Sequence, residues 1–170
     1  MLFRRATESD FAEYVRLYND PEAETIYRKK EDEEINPQKQ QEALKYFGLD
    51  DPNSDFVKQL EEENRRTFPK FLKDITNSSH RIIIIQNSYR VVGFIELFMI
   101  KRFCWKIAFL CIEQRYQTLE VINHLMQYLR KEENMHQLDV CTYNGDFDDM
   151  LKAAGFISDG FSFLHKTLDG

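Results

Sequence analysis

The residues best placed for chemistry lie where a strand-like run turns into a helix-patterned one. Trp105–Ile112 is apolar and strand-like, and it passes through Glu113-Gln-Arg-Tyr-Gln-Thr118 into Leu119–Lys131. The first N–H groups of a helix have no partner within it, so such a turn offers donors and a positive dipole end to a phosphate. Main-chain groups of Leu119, Glu120, Val121, Ile122 and Asn123 would make that contact, beside the polar Gln117 and Thr118. Thr118 is equally suited to cap the helix with its own hydroxyl. Two carboxylates lie near in sequence: Glu96, in the middle of Phe94-Ile-Glu-Leu97, and Glu113, at the strand end. A carboxylate between apolar strand residues either faces solvent or is partly buried, and the second setting suits a general base.

Other reactive side chains group less well. Cys111 has no histidine at a spacing that would activate it as a nucleophile, so it reads as a packed core thiol. Cys104, Cys111 and Cys141 lack C-x-x-C spacing and sit in strand-like runs, which fits reduced thiols rather than a disulfide or zinc. His80, His124, His136 and His165 are scattered, and no metal site is expected. Phe94, Phe98, Phe103, Trp105 and Phe109 lack interleaved Lys and Arg, so they read as sheet packing rather than a platform for bases.

The elements that must hold these residues follow from periodicity. Leu2–Ala6 is a short strand, and Thr7-Glu-Ser-Asp10 opens a helix with Phe11, Tyr14, Val15, Leu17 and Tyr18 at helical spacing. Residues 20–36 are charged and weakly patterned, a loop or frayed helix. Pro37 starts a helix that Gly48 stops, Ser54 or Asp55 caps another toward Arg66, and Phe68, Phe71, Leu72 and Ile75 continue an apolar face around Pro69. From there the period changes to that of strands. Arg81–Ile85 and Val91–Ile100, joined by Gln86-Asn-Ser-Tyr89, read as a hairpin, and Phe103–Ile112 as a third strand. A helix at 119–131, a strand at Leu138–Tyr143, a short helix at 146–154 and a strand at Gly160–Leu168 complete the order. The strand–helix–strand unit at 103–143 calls for a right-handed crossover between parallel strands. The result is an α/β fold: a mixed, mostly antiparallel sheet with one parallel crossover and helices on both faces.

A chain of 170 residues suits one domain, and 42% hydrophobic residues supply a core. The net charge of −6 is local: Asp20–Arg66 holds 14 acidic and 8 basic residues, and the remainder balances. That acidity disfavours nucleic acid, suits a cationic amine, and is equally the mark of a solvated helical surface. No run is long enough for a membrane span, and Met-Leu-Phe-Arg-Arg puts charges where a signal peptide needs apolar residues. A cytoplasmic protein is expected, with free sheet edges leaving a homodimer open.

Ile112-Glu-Gln-Arg-Tyr-Gln-Thr-Leu-Glu-Val-Ile-Asn-His-Leu-Met126 resembles, without gaps, the acetyl-CoA-binding segment V-x-P-x-Y-R-G-x-G-I-G-x-x-L-L of the GNAT superfamily of N-acetyltransferases. Asn144 to Gly155-Phe156 is similar to the family's later N-x-x-A-x-x-L-Y-x-x-x-G-F segment, with Met150 on the Leu position. Phe3–Asp10 and Val92-Gly-Phe-Ile95 look like the family's first strand and its third. The resemblance implies a single GNAT-like domain over 1–170 with an acidic helical insert at about 20–66. It implies acetyl-CoA as co-substrate, held by Cys111, Ile112, Gln117, Thr118, Leu119, Glu120, Val121, Ile122, Asn123 and Asn144. A small-molecule or peptide amine would attack the thioester directly, with a backbone N–H near Cys111 or Ile112 on the oxyanion and Glu96, then Glu113, as base. Two departures oppose this. The family's glycines fall on Thr118, Glu120 and Ile122, where side chains narrow a phosphate cradle. Its thiolate-protonating tyrosine falls on Leu151, which cannot donate a proton. The alternative is a catalytically inactive GNAT-fold domain that binds a ligand or a protein.

Overall fold

The computed structural model describes residues 1–26, 37–142, 145–158 and 163–168. Its elements run β1 (Leu2–Arg5), α1 (Phe11–Tyr18), α2 (Pro37–Tyr46), α3 (Asp55–Asn64), α4 (Phe68–Thr76), β2 (His80–Asn87), β3 (Arg90–Lys101) and β4 (Cys104–Ile112). They continue with α5 (Leu119–Lys131), β5 (Gln137–Cys141), α6 (Gly145–Ala153), β6 (Ile157–Ser158) and β7 (Phe163–Thr167). Seven strands form one sheet in the order β1-β2-β3-β4-β5-β7-β6, antiparallel throughout except for the parallel β4–β5 pair. The mixed sheet expected from the sequence is present. The β2–β3 hairpin is tighter than expected: Gln86 and Asn87 pair with Val91 and Arg90, leaving Ser88 and Tyr89 as the turn, Ser88 at φ 55°. Polar residues obscured those strand ends. β6, two residues long, has no periodic signature.

Alternation along the strands assigns the faces. Ile83, Ile85, Ile95 and Leu97 pack under α5 and α6 with Ile122, Leu125, Leu129 and Leu151. Ile82, Ile84 and Phe94 pack on the other face with Tyr14 and Leu17 of α1 and Phe71 of α4. Helices therefore cover both faces. Gly93 in central β3 is needed for close approach, since a Cβ there would lie 2.7 Å from the Cys111 carbonyl.

Glu31–Thr67 separates as a second compact unit, while Met1–Lys30 and Phe68–Gly170 form the sheet-bearing one. Within the smaller unit Gly48, at φ 70°, follows α2, and the Ser54 hydroxyl accepts the Val57 N–H to cap α3. That unit carries most of the acidity. Among the described residues no helix is long and apolar enough to cross a membrane.

Candidate functional site

The site is built where β4 leaves β5. Their parallel pairing runs only from Cys104–Gln137 to Ile107–Val140. The register between β3 and β4 skips Ala108 at this point, with Glu96 opposite Phe109 and Leu97 opposite Ile107. An extra residue bends a strand and shifts its alternation. Trp105 and Ile107 before the bulge, and Leu110 and Ile112 after it, consequently all face the α5 side. Beyond the bulge β4 offers main-chain groups to a fork with no β5 ladder opposite.

Residues 23–26 fill that fork. The Ile112 N–H donates to the Ala23 carbonyl at 2.8 Å, and the Thr25 N–H donates to the Leu110 carbonyl at 3.2 Å. Glu24 stands opposite Cys111 in an isolated antiparallel bridge. The Thr25 hydroxyl adds a short bond to the Leu110 carbonyl, and from the β5 side the Thr142 hydroxyl donates to the Ile26 carbonyl at 3.1 Å. Ala23, Thr25 and Ile26 are fully buried. Cys111 and Ile112, expected to turn main-chain groups to a cofactor, thus meet this strap instead. Gln117 belongs to the same arrangement: its amide donates to the Ile112 carbonyl at 2.7 Å and the Glu22 carbonyl at 2.8 Å.

The start of α5 is more open. Thr118 is its N-cap, the hydroxyl accepting the Val121 N–H at 3.3 Å and the carbonyl accepting the Ile122 N–H at 3.1 Å. Leu119 and Glu120 keep the first-turn N–H groups that the cap does not take. Glu120 borders a shallow depression of about 300 Å³ lined also by Arg115, Thr118 and His124, among others. The Arg115 guanidinium, the His124 imidazole as a hydrogen-bonding group and a helix N-terminus suit a phosphate there, while Glu120 places a carboxylate at its rim. Val121 and Ile122 turn into the core, so the isoleucine at a glycine position obstructs nothing. Asn123 is exposed and borders a separate depression with Arg130 and Lys166. Asn144 lies outside the described residues, and Leu151 is buried in the core.

The two carboxylates have separate surroundings. Glu96 is fully buried between the sheet and α1, where its Oε1 accepts the Tyr14 hydroxyl at 2.8 Å and lies 3.2 Å from His80 Nε2. His80 Nδ1 is 3.4 Å from Asp74. Among the described residues Asp74, His80 and Glu96 form the one group whose ligand-type atoms lie within 4.8 Å of one another. The imidazole stands between the two carboxylates rather than converging with both on a point. It links buried Glu96 toward Asp74, which is partly exposed. This linkage has no signature in sequence, because its members come from α1, α4, β2 and β3. Glu113 is instead a surface anchor, 2.6 Å from Arg90 and 3.2 Å from Arg16. All three cysteines are free thiols, Cys111 buried and the others half-buried.

No protein-family model matches the sequence, and no curated protein does. Solved structures do match. The PaiA N-acetyltransferase of Thermoplasma acidophilum, in complex with coenzyme A, is similar at 15% identity and a TM-score of 0.59, over 98% of each chain. Spermidine N-acetyltransferase of Vibrio cholerae, in complex with CoA and spermine, is similar at 14% identity and a TM-score of 0.59, over 98% of this chain and 95% of that one. The sheet order, the parallel β4–β5 pair and the following helix are thus those of the GNAT fold.

Proposed function

We propose that this GNAT-fold chain transfers an acetyl group from acetyl-CoA to an amine. The observation that carries this reading is the β4–β5 fork opening beside the N-terminus of α5, within a fold shared with enzymes solved with coenzyme A. Leu119 and Glu120 N–H groups, with Arg115 and His124 near them, would receive the diphosphate; Glu120 and the capped Thr118 fit it less well than glycine. The amine attacks the thioester carbonyl, the thiolate leaves, and a proton leaves the nitrogen. Glu96 is the base in this reading. Its burial means that the proton reaches it through Tyr14 or His80. The acidity of residues 31–67 and the spermine bound by the Vibrio cholerae enzyme favour a cationic acceptor.

Acetyl-CoA at millimolar concentration, bound with micromolar affinity, should raise stability by about 4 kcal/mol. The accompanying assay follows acetylation of polyamines and lysine peptides. A second reading, a binding domain without transferase activity, draws on the strap that fills the fork and on Leu151. Stabilisation by acetyl-CoA without acetylation of any amine would favour it, and no stabilisation would end the first reading.

A further inference from the structure

We infer that Ala23–Ile26 is a built-in competitor for the fork, so that the coenzyme's arm enters only when this strap leaves. The inference rests on the acetyl-CoA reading above and concerns how that site is controlled. An acyl-CoA arm is an extended chain bearing successive amides. To lie along the free edge of β4 it must use that edge's outward carbonyls and N–H groups. The outward groups after the bulge are the Leu110 carbonyl and the Ile112 N–H, and the strap already holds both through Thr25 and Ala23. Its backbone presents one N–H and one carbonyl, as a pair of amides in a ligand would. Strap and arm cannot share them.

The strap is seated in a way that permits release. It meets β4 through a single isolated bridge rather than a ladder. Its polar reinforcements include hydroxyl bonds from Thr25 and Thr142, each replaceable by water, while the buried Ala23 and Ile26 side chains, packed in the cores of the two sheet faces, set the cost of release. On its N-terminal side it springs from a turn in which Ala23 and Glu24 N–H groups donate to the Asp20 carbonyl. On its C-terminal side the chain soon enters the separate unit beginning at Glu31. The Gln117 amide ties Glu22 to the turn before α5, so the strap is fastened at the end where the phosphates would bind.

The bridge itself supplies the test. Glu24 and Cys111 face each other between the two flanking hydrogen bonds, a non-hydrogen-bonded pair whose Cα atoms lie about 4.5 Å apart in such ladders. That spacing admits a disulfide. In Glu24→Cys, oxidation to Cys111 locks the strap in place and reduction frees it, within one protein. Coenzyme A and 3′,5′-ADP, which lacks the arm, are titrated calorimetrically against both forms. Locking should weaken coenzyme A by at least about tenfold, or about 1.4 kcal/mol, and leave 3′,5′-ADP unchanged. Equal coenzyme A affinity in the two forms overturns the strap's role and leaves the acetyl-CoA reading standing. Absence of coenzyme A binding from both forms overturns that reading, and the gate with it. Thr25→Gly combined with Thr142→Val loosens the strap without a cross-link and should tighten coenzyme A binding; no gain there also overturns the inference.

Discussion

Replacing Tyr14 by Phe tests the buried half of the site with one atom. The ring keeps its contacts with Phe94 and Phe71, whose centroids lie 4.7 and 5.0 Å away, so packing survives. What is lost is the hydroxyl donated at 2.8 Å to Glu96, a side chain with no exposure. A buried hydrogen bond to a charged group contributes about 1.5–3 kcal/mol. For a chain of this size each kcal/mol moves the melting temperature by about 2–4 °C, so Tyr14→Phe should melt about 3–12 °C lower. Urea unfolding should show the same loss as a lower midpoint with an unchanged slope. Glu96→Gln keeps an acceptor for the hydroxyl and should cost less. The double variant should then reveal a coupling of at least about 1 kcal/mol. If Tyr14→Phe unfolds within about 0.5 kcal/mol of wild type, Glu96 does not depend on this donor in the interior. The route assigned to its proton then fails as well. If stability falls as expected and acetylation falls no further than the folded fraction does, Tyr14 is structural only.

Two further expectations concern the same framework. Gly93→Ala would push a Cβ to 2.7 Å from the Cys111 carbonyl and 3.2 Å from the Ile112 Cα, both backbone atoms, and should cost about 1–3 kcal/mol in a urea melt; a neutral result would mean that β3 and β4 separate more easily than their register indicates. Tyr128 is pushed up to about 12 by burial, reinforced by the neighbouring Glu133 carboxylate. Its phenol binds its proton more tightly in the folded state, so the stability it contributes is present below the ordinary value near 10 and lost as pH rises toward 12. Ultraviolet titration should find one tyrosine ionising about two units late, and Tyr128→Phe should remove that component.

What the sequence made legible was local. The 119–131 helix was readable because Thr118 caps it and Ile122, Leu125 and Leu129 keep its period, and those residues are buried as the period requires. The fork was legible only as a strand running into a helix. The bulge at Ala108 leaves no mark in composition, because the residue it inserts is as apolar as its neighbours. Glu96 posed an explicit choice between an exposed and a buried carboxylate, and the sequence could not decide it. The deciding donor, Tyr14, lies 82 residues away. The strap was hidden for a related reason. Ala23, Thr25 and Ile26 are too few to show a period, sit in a charged stretch, and find their partner 85 residues later. Alternation names the face a residue takes within its own element; it says nothing of what a short segment pairs with across the fold.

Thr118, at a replaced glycine, and its neighbour Gln117 bind the turn and the strap into one arrangement. With glycine at the helix start, a phosphate could approach the amides closely. In this chain Thr118 turns its hydroxyl back to the Val121 N–H, and the preceding Gln117 spans from the Ile112 carbonyl to that of Glu22. The turn and the strap are therefore one hydrogen-bonded unit. An anion that binds without moving the turn, as expected of 3′,5′-ADP, leaves the strap alone, whereas one that shifts the turn acts on the strap through Gln117, and departure of the strap frees that amide. Coupling of this kind is reciprocal by thermodynamic necessity: whatever binds the start of α5 better with the strap released must itself favour release by the same factor. Thr118 and Glu120 thus narrow the phosphate site while the adjoining Gln117 fastens its competitor, two effects of the same sign on the occupancy of the fork.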